Sequence, residues 1–311
     1  MGTSIRGWVI PLLATLWAGT AGAQQASCDR ACLTKLIDAY YAALIANNPA
    51  GLPQAAQARI TENSHEKKLA EVFWPAADAV AYRFDVVNIR RGDTGTQSVV
   101  HNADGTRTMY LLRMKVKEGA ITEIEILKAN QGDADRLWGD DLKGVSHSMT
   151  MSIREQDRDS YYDLIGTAES YWRAFQSNGT PNYRRARLAP GSTRFENGLQ
   201  TTGTMRNGVF NDTSKGFDEG AFLGRNLWDR RYAVVDEERG IVLCILRFGL
   251  KAGAKSQSVA TSNDRLVGEF FAIQNGFIQE VHATLVNLPD SQPAGWPNTD
   301  YGPAKGSTDT F

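Results

Sequence analysis

A heptapeptide in the first half of the chain, Asp38-Ala-Tyr-Tyr-Ala-Ala-Leu44, returns in the second half as Glu169-Ser-Tyr-Trp-Arg-Ala-Phe175. Both copies lie in segments whose apolar residues recur at helical spacing, which predicts two amphipathic helices. Such self-similarity is the signature of a duplicated structural unit. The repeat therefore decides the fold, and the rest of the chain is interpreted from it.

Further landmarks follow each helix in the same order. The matching segments are Arg59–Asn63 with Thr193–Asn197, Trp74 with Trp228, Tyr82–Asn88 with Arg230–Asp236, and Gly119–Glu125 with Gly276–His282. Alternating apolar residues between turn signals such as Asp104-Gly105 and Asn275-Gly276 predict strands in both halves. A helix followed by a long antiparallel sheet belongs to the α+β class.

The N-terminus has the pattern of an export signal. Arg6 precedes the apolar run 8–17, and small residues lead to Ala21-Gly22-Ala23. A membrane anchor is disfavoured because the run is shorter than the roughly 20 residues a span requires. We expect a signal peptide at 1–23, a first module at 24–135, a linker at 136–156, a second module at 157–290 and an irregular tail at 291–311. The mature protein is then periplasmic or secreted, without a membrane span.

Composition and motifs restrict the function classes. With 34 basic and 35 acidic residues and a net charge of -1, the chain lacks the basic excess of a nucleic-acid-binding protein. No nucleotide-binding loop is visible, and the four histidines are scattered without metal-ligand spacing. We therefore expect neither a cofactor nor a metal. For Cys28 and Cys32, a disulfide is favoured over metal binding, and Cys244 is expected in the core.

Six segments carry a family resemblance: Cys28–Leu33, Thr61–Asn63, Tyr82–Phe84, Gly119–Ile124, Asp229–Gly240 and Gly295–Pro297. They resemble the SnoaL-like branch of the nuclear-transport-factor-2-like (NTF2-like) superfamily, and in particular its exported tandem members in bacteria and fungi. The resemblance implies two cone-shaped α+β barrels, each a curved antiparallel sheet wrapped around its N-terminal helix. It also implies that the cones pair through their sheets, as a pseudo-dimer within one chain, so that a homodimer is not required.

Acid–base chemistry inside a cone would need a carboxylate and an anion-stabilising partner. Glu62, between Ile60 and Asn63, is a candidate base if it faces an apolar cavity, and a plain ion-paired strand residue otherwise. Tyr82 and Arg83 are adjacent and point to opposite faces of a strand, so only one can face the cavity and steady an anion. The structural alternative for Arg83 is an ion pair with a glutamate across the sheet.

The remaining candidates belong to the same first cone. His65 is a candidate proton carrier, and Arg113 is a candidate to point into the cone because it is out of phase with Leu112. Aromatic residues are also candidates to line the ligand site, although aromatic residues at helical spacing are more often plain core. The candidate ligand contacts are Tyr40, Tyr41, Trp74 and His101. We expect the first cone to be active, because His65 and Arg113 have no identical counterpart in the second.

These residues favour a cofactor-independent lyase or isomerase acting on a small, aromatic molecule, for which lignin-derived compounds are one source. The same cone would also serve a non-catalytic binding protein for a hydrophobic small molecule. A third alternative is a surface interaction module, which a large apolar patch outside the cone would favour.

Overall fold

The computed structural model describes residues 1–2, 28–72, 77–133, 137–181, 183–250, 264–288 and 295–296. The predicted signal peptide, apart from its first two residues, lies outside these ranges. So do Trp74 and the predicted tail, except for Gly295 and Trp296. Among the described residues, no helix combines the length and apolar character that crossing a membrane requires.

The first module is one long helix followed by a six-stranded sheet. Its elements are α1 (Arg30–Ile45), β1 (Gln54–Glu62), β2 (His65–Glu66), the short α2 (Leu69–Val72), β3 (Ala77–Asn88), β4 (Asp93–Asn102), β5 (Arg107–Lys117) and β6 (Ala120–Asn130). The spatial order is β2-β1-β6-β5-β4-β3. α1 begins after Asp29, whose carboxylate accepts a 2.8 Å hydrogen bond from the Cys32 N–H. A disulfide joins Cys28 and Cys32 at this end.

The second module repeats this arrangement. After the short linker helix α3 (His147–Thr150), its elements are α4 (Tyr161–Ser177), β7 (Leu188–Glu196), β8 (Leu199–Thr202), β9 (Thr204–Arg206), β10 (Val209–Asn211), α5 (Thr213–Asp218), β11 (Arg225–Asp236), β12 (Ile241–Leu250), β13 (Arg265–Gln274) and β14 (Phe277–Asn287). The sheet order, β8-β7-β14-β13-β12-β11, matches the first module strand for strand. The β9–β10 hairpin has no equivalent among the described elements of the first module, whereas α5 occupies the chain position of α2, before the first strand of the meander.

The α+β prediction is confirmed, and the two similar modules, each a helix followed by a six-stranded sheet, are consistent with tandem NTF2-like modules. One correction concerns the sheets. We expected antiparallel sheets, but β1 runs parallel to β6 and β7 runs parallel to β14, so both sheets are mixed. The other pairings are antiparallel. The chain leaves β1 at one side of the sheet and starts the β3–β6 meander at the far edge. The last meander strand therefore returns beside β1 in the same direction.

The two faces of each sheet have different partners, because successive side chains of a strand alternate between faces. On the inner face, α1 packs on residues such as Leu112 and Ile124, and α4 packs on Val242 and Phe271. The outer faces pack against each other in a third core. That core contains Tyr82, Phe84, Met109, Leu111 and Leu127 of the first module and Leu243, Ile245 and Phe270 of the second. The two modules thus form a pseudo-dimer within one chain, joined through their sheets.

The repeated Glu-Asn sequence is a backbone clamp. Asn63 accepts from the Lys128 N–H at 2.8 Å and donates to the Lys128 carbonyl at 3.0 Å. Asn197 makes the same pair of bonds with Leu285, at 2.9 and 3.0 Å. Both asparagines have positive φ, 48° and 45°, a conformation that asparagine tolerates better than most residues. The clamp ends β1 and β7 at equivalent points and holds each beside its parallel neighbour.

Candidate functional site

A buried polar cluster lies inside the second cone, between α4 and the sheet. Its members, which we call the Glu269 cluster, are Tyr171, Arg194, Glu196 and Glu269. Arg194 donates to the Tyr171 hydroxyl at 3.3 Å and lies 3.6 Å from a Glu196 carboxylate oxygen. The Tyr171 side chain is also hydrogen-bonded to Glu269. The phenol therefore connects the guanidinium to the carboxyl group.

The positions of these side chains follow from local periodicity. On β13, alternation places Glu269 on the same inner face as Val267 and Phe271. Tyr171 lies on the buried face of α4 and is fully inaccessible. Arg194 and Glu196 are two residues apart on β7 and so share the inner face. Glu196 is the counterpart of Glu62, since each directly precedes a clamp asparagine.

Burial governs the electrostatics of the cluster. Only 4% of Glu269 is exposed. Loss of solvation raises the pKa of Glu269 to about 8, against the opposing effects of the Arg194 charge and the Tyr171 hydrogen bond. The nearby Glu196 carboxylate raises that pKa further. At neutral pH Glu269 is therefore a protonated acid, next to a carboxylate that is ion-paired with Arg194.

Aromatic side chains form the walls around the cluster. Tyr171 packs edge-on against Phe175, Phe217 and Phe271, with ring centroids 5.1–5.2 Å apart. The ring of Phe222 lies 5.8 Å from the Arg194 guanidinium carbon. Phe217 and Phe222 belong to the segment that contains α5 and follows the β9–β10 hairpin. This segment thus closes the second cone with aromatic rings.

A second ionic contact fixes α4 to the sheet beside this cluster. Glu169 accepts from Arg230 at 2.9 Å and also from the Tyr232 hydroxyl. In the first module, Asp38 on α1 likewise accepts from Arg83 on β3. The helix carboxylate and the strand arginine recur in both cones, and we interpret them as a structural tie between helix and sheet.

Several predicted residues meet inside the first cone. Glu62 faces inward and lies 3.6 Å from the Lys128 ammonium. Tyr40 is hydrogen-bonded to Tyr110 through a 2.6 Å contact between their hydroxyls. The Tyr41 hydroxyl contacts the Thr96 hydroxyl at 2.5 Å and the Ser98 hydroxyl at 2.9 Å.

Of the adjacent pair Tyr82 and Arg83, it is Arg83 that lies on the inner side. Its guanidinium carbon lies 4.9 Å from the Tyr41 ring centroid. Arg83 is ion-paired with Asp38 and Asp85 rather than with a glutamate across the sheet. Tyr82 points to the outer face, where its ring lies parallel to His282 at 6.4 Å. Tyr82 therefore belongs to the contact between the modules and not to a cone.

The expectation that Arg113 points into the cone is wrong. Leu112 faces α1, so its neighbour Arg113 faces outward and donates to Glu123 at 2.7 Å. The adjacent Glu125 forms a two-point ion pair with Arg231 of the second module, at 2.5 and 3.1 Å. Arg113 thus belongs to a charged network on the outer face.

The two predicted histidines lie at the surface. His65 is exposed on the edge strand β2, with its Nδ1 3.0 Å from the Asn63 carbonyl oxygen. His101 is exposed near the end of β4. Trp74 lies outside the described residues.

Sequence reasoning did not select Tyr171, Arg194 or Glu269. Glu269 is the only charged residue within Leu266-Val-Gly-Glu-Phe-Phe-Ala-Ile273. A carboxylate isolated in an otherwise apolar strand was the signal that would have found it, because charged residues are seldom buried without a specific partner. In the described part of the chain, no group of three or more His, Cys, Asp or Glu side chains is placed to bind a metal.

Comparison with known proteins gives one family match. No curated protein matches the sequence. The model of a domain of unknown function, DUF8021, matches residues 157–285. That range contains α4, the strands β7 to β13 and most of β14, and with them every member of the Glu269 cluster. The second module of this chain is therefore similar to the DUF8021 domain.

Proposed function

We propose that the protein is a cofactor-independent lyase or isomerase that acts by acid–base chemistry on a small aromatic molecule in the second cone. One observation carries the proposal: the buried acid Glu269 is held beside Tyr171, with Arg194 and Glu196 next to it, inside aromatic walls. A pair of carboxyl groups in such different environments is the arrangement that acid–base enzymes use to hold one proton donor and one acceptor.

Each member of the cluster has a role in an elimination. Glu196 removes a proton from a carbon of the substrate, and the electrons of that C–H bond form a new double bond. The bond to the leaving oxygen breaks, and that oxygen takes the proton of Glu269. Arg194 and the Tyr171 hydroxyl stabilise the negative charge that develops on a substrate oxygen during the step. In an isomerisation, the proton that Glu196 removes from one carbon is replaced at another by Glu269.

The aromatic walls and the segment that contains α5 define the substrate class. Phe175, Phe217 and Phe222 present rings to the cluster, and aromatic rings pack favourably on each other in offset or edge-on geometry. A lignin-derived aromatic compound carrying a hydroxyl group would complement both the aromatic walls and the polar cluster. Substrate entry requires displacement of the segment with Phe217 and Phe222, and this segment would exclude water once it closes.

Action outside the cytoplasm is part of the proposal. The Cys28–Cys32 disulfide supports it, because disulfides persist mainly in oxidising compartments. The charged and apolar pattern of the first 23 residues supports it independently.

The first cone provides a matched comparison. Glu62 occupies the position of Glu196, and Tyr40 occupies the position of Tyr171. At the position of Glu269, however, the first cone has the apolar residue Leu112. Glu269 pairs across the sheet with Ala283, which pairs in turn with Glu196. In the same way, Leu112 pairs with Ile126, which pairs with Glu62. The first cone therefore contains a carboxylate and a phenol but not the buried acid. This difference moves the proposed activity from the first cone, which the sequence favoured, to the second.

The test is incubation of the mature protein with a pool of lignin-derived and other small aromatic compounds, followed by mass analysis of the products and by native mass spectrometry. We expect one compound to be consumed without added cofactor. Glu269→Gln should lower the turnover by about 10²–10⁴-fold, the usual contribution of a positioned proton donor. Glu62→Gln is the matched control and should keep the wild-type rate.

Three results would overturn the proposal. A compound that binds but returns unchanged would identify a carrier, the alternative function. Turnover that is abolished by Glu62→Gln and kept by Glu269→Gln would place the chemistry in the first cone. Turnover that survives both changes would exclude catalysis by either carboxyl group, in the first cone or in the second.

A further inference from the structure

The chain that follows each module packs on the other module, at equivalent points. After the first module, the N–H of the linker residue Gly139 donates to the Asn197 carbonyl at 3.2 Å, beside Gly198. After the second module, Gly295 packs on Ser64. Gly198 and Ser64 each directly follow a clamp asparagine, and both have positive φ, 81° and 72°. Each module is therefore held by a segment that follows the other one in the chain.

Trp296 fills a site on the outer face of the first sheet. Its indole N–H donates to the Thr61 hydroxyl at 2.8 Å. The guanidinium carbons of Arg59 and Arg113 lie 4.3 and 5.4 Å from the centre of the indole ring, within the range of cation–π attraction. Arg59 also donates to the Gly295 carbonyl at 2.6 Å. Three side chains of the first module thus bind both the ring and the backbone of this dipeptide.

The side chains that form this site are positioned by contacts of their own. Arg59 and the fully buried Thr61 are two residues apart on β1, so they share its outer face. Arg59 is ion-paired with Glu66 at 3.0 Å, and Arg113 is ion-paired with Glu123 at 2.7 Å. An uncharged aromatic ring is attracted by the two guanidinium groups, whereas a lysine or arginine side chain at the same place would be repelled.

The position before the ring requires glycine for two reasons. Gly295 has a φ of 84°, a conformation that residues with a Cβ rarely adopt. In addition, a Cβ on Gly295 would lie 2.8 Å from the Ser64 carbonyl oxygen and 3.0 Å from the Ser64 Cα. The site therefore selects a glycine followed by tryptophan, and not tryptophan alone.

We propose that the outer face of β1 is a recognition site for a Gly-Trp segment, and that the protein fills it with Gly295 and Trp296 as a detachable strap. The linker is covalently joined to both modules, whereas the strap is bound to the first module by non-covalent contacts. The strap can therefore open without unfolding of either module. The inference rests on contacts outside both cones and is independent of the proposed enzymatic activity.

The first test is hydrogen exchange of the full mature chain. Trp296→Ala removes the ring and its N–H, and we expect the amides of residues 54–66 to exchange roughly 30- to 100-fold faster, the joint loss of one hydrogen bond and two cation–π contacts. Gly295→Ala should have an effect in the same direction. The amides of residues 188–202 should keep their wild-type rates, although the strap follows the second module in the chain.

Two matched controls accompany these variants. Trp228→Ala removes an indole of the second module that also lies against an arginine, Arg247. Gly276→Ala places a Cβ at a similar positive φ, 73°, but with nothing within 4 Å of it. Both should leave the exchange of residues 54–66 at the wild-type rate.

The second test supplies the strap as a separate molecule. A synthetic peptide of residues 293–299, which contains the Gly-Trp segment, is titrated into the full-length Trp296→Ala protein at millimolar concentration, the range that a tethered segment reaches within one chain. We expect the peptide to bind and to restore slow exchange at 54–66, whereas a peptide with alanine in place of its tryptophan should not. Adding Arg59→Met to the protein should weaken this binding about tenfold, because one cation–π contact and the hydrogen bond to the carbonyl are lost.

Four results would overturn the proposal. Wild-type exchange at 54–66 in Trp296→Ala and Gly295→Ala would show that the strap does not hold the first module. Equal acceleration at 54–66 and 188–202 would indicate a loss of global stability instead of the release of a strap. A peptide that fails to bind the Trp296→Ala protein, or that binds equally well without its ring, would remove the recognition site.

Discussion

Replacement of Glu269 by glutamine tests the electrostatics of the second cone without requiring a known substrate. The pKa of Glu269 is raised by burial from an ordinary value of 4.5 to about 8. The folded protein therefore holds this proton more tightly than the unfolded chain does. The stabilisation is fully present below pH 4.5 and is lost as the pH rises through 8.

The magnitude follows from the two pKa values. Each tenfold change in proton affinity is worth about 1.4 kcal/mol. Between pH 4.5 and pH 8, Glu269 ionises in the unfolded chain while it stays protonated in the folded protein, which lowers the free energy of unfolding by an amount on the order of 5 kcal/mol, as an upper bound. A glutamine has nearly the same shape and does not ionise. The variant should be similar to the wild type at pH 5 and more stable than it at pH 9.

The assay is urea denaturation of both proteins at several pH values between 5 and 9. The wild type should lose stability across this range more steeply than Glu269→Gln. An exposed control, Glu155→Gln, should follow the wild type to within about 0.5 kcal/mol at each pH, as surface substitutions generally do. If the wild type and Glu269→Gln show the same pH dependence, Glu269 is not the buried acid that we describe, and the proposed proton donor is lost with it.

Three further predictions concern the framework. Arg231→Met should lower the free energy of unfolding by about 3–5 kcal/mol, because it leaves the buried Glu125 carboxylate without its two-point partner. Chemical denaturation measures this loss, and a loss below about 1 kcal/mol would show that the charged network does not hold the modules together. Asn197→Ala should lower the same free energy by about 1–3 kcal/mol, because the N–H and the carbonyl of Leu285 then lose their hydrogen-bond partner. A denaturation midpoint equal to that of the wild type would contradict the role of the clamp. Replacement of Cys28 and Cys32 by serine should lower the melting temperature only slightly, because a disulfide across so few residues removes little entropy from the unfolded chain; a large drop would show that the disulfide is needed to hold α1.

The Glu269 cluster was hard to predict because it depends on which strands become neighbours. Glu196 was visible as half of a repeated Glu-Asn pair, but Glu269 lies more than 70 positions along the chain and has no repeated counterpart. The pairing of β7 with β14, and of β14 with β13, brings them to one face. That pairing is a property of the mixed sheet, and the antiparallel sheet expected from the sequence would not have contained it.

The candidates of the first cone show what strand alternation can predict and what it cannot. The sequence established that Tyr82 and Arg83 lie on opposite faces of one strand, since alternation is a local property. It did not establish which face is the inner one, because both sides of this sheet are buried, one by α1 and the other by the second module. The same ambiguity led us to place Arg113 in the cone, whereas it lies on the outer face of the sheet, in the charged network that includes Glu123 and Glu125.

The amino-acid sequence by itself determined the duplication, the α+β class and the order of helix and strands in each module, because helical spacing, strand alternation and turn residues are all encoded locally. Tertiary structure alone decided which residues form a site. The parallel pairing of β1 with β6 and of β7 with β14, and the packing of one sheet on the other, join residues that are far apart in the chain. Burial then makes a protonated acid of Glu269, an effect that depends on the surrounding atoms and not on the residue type.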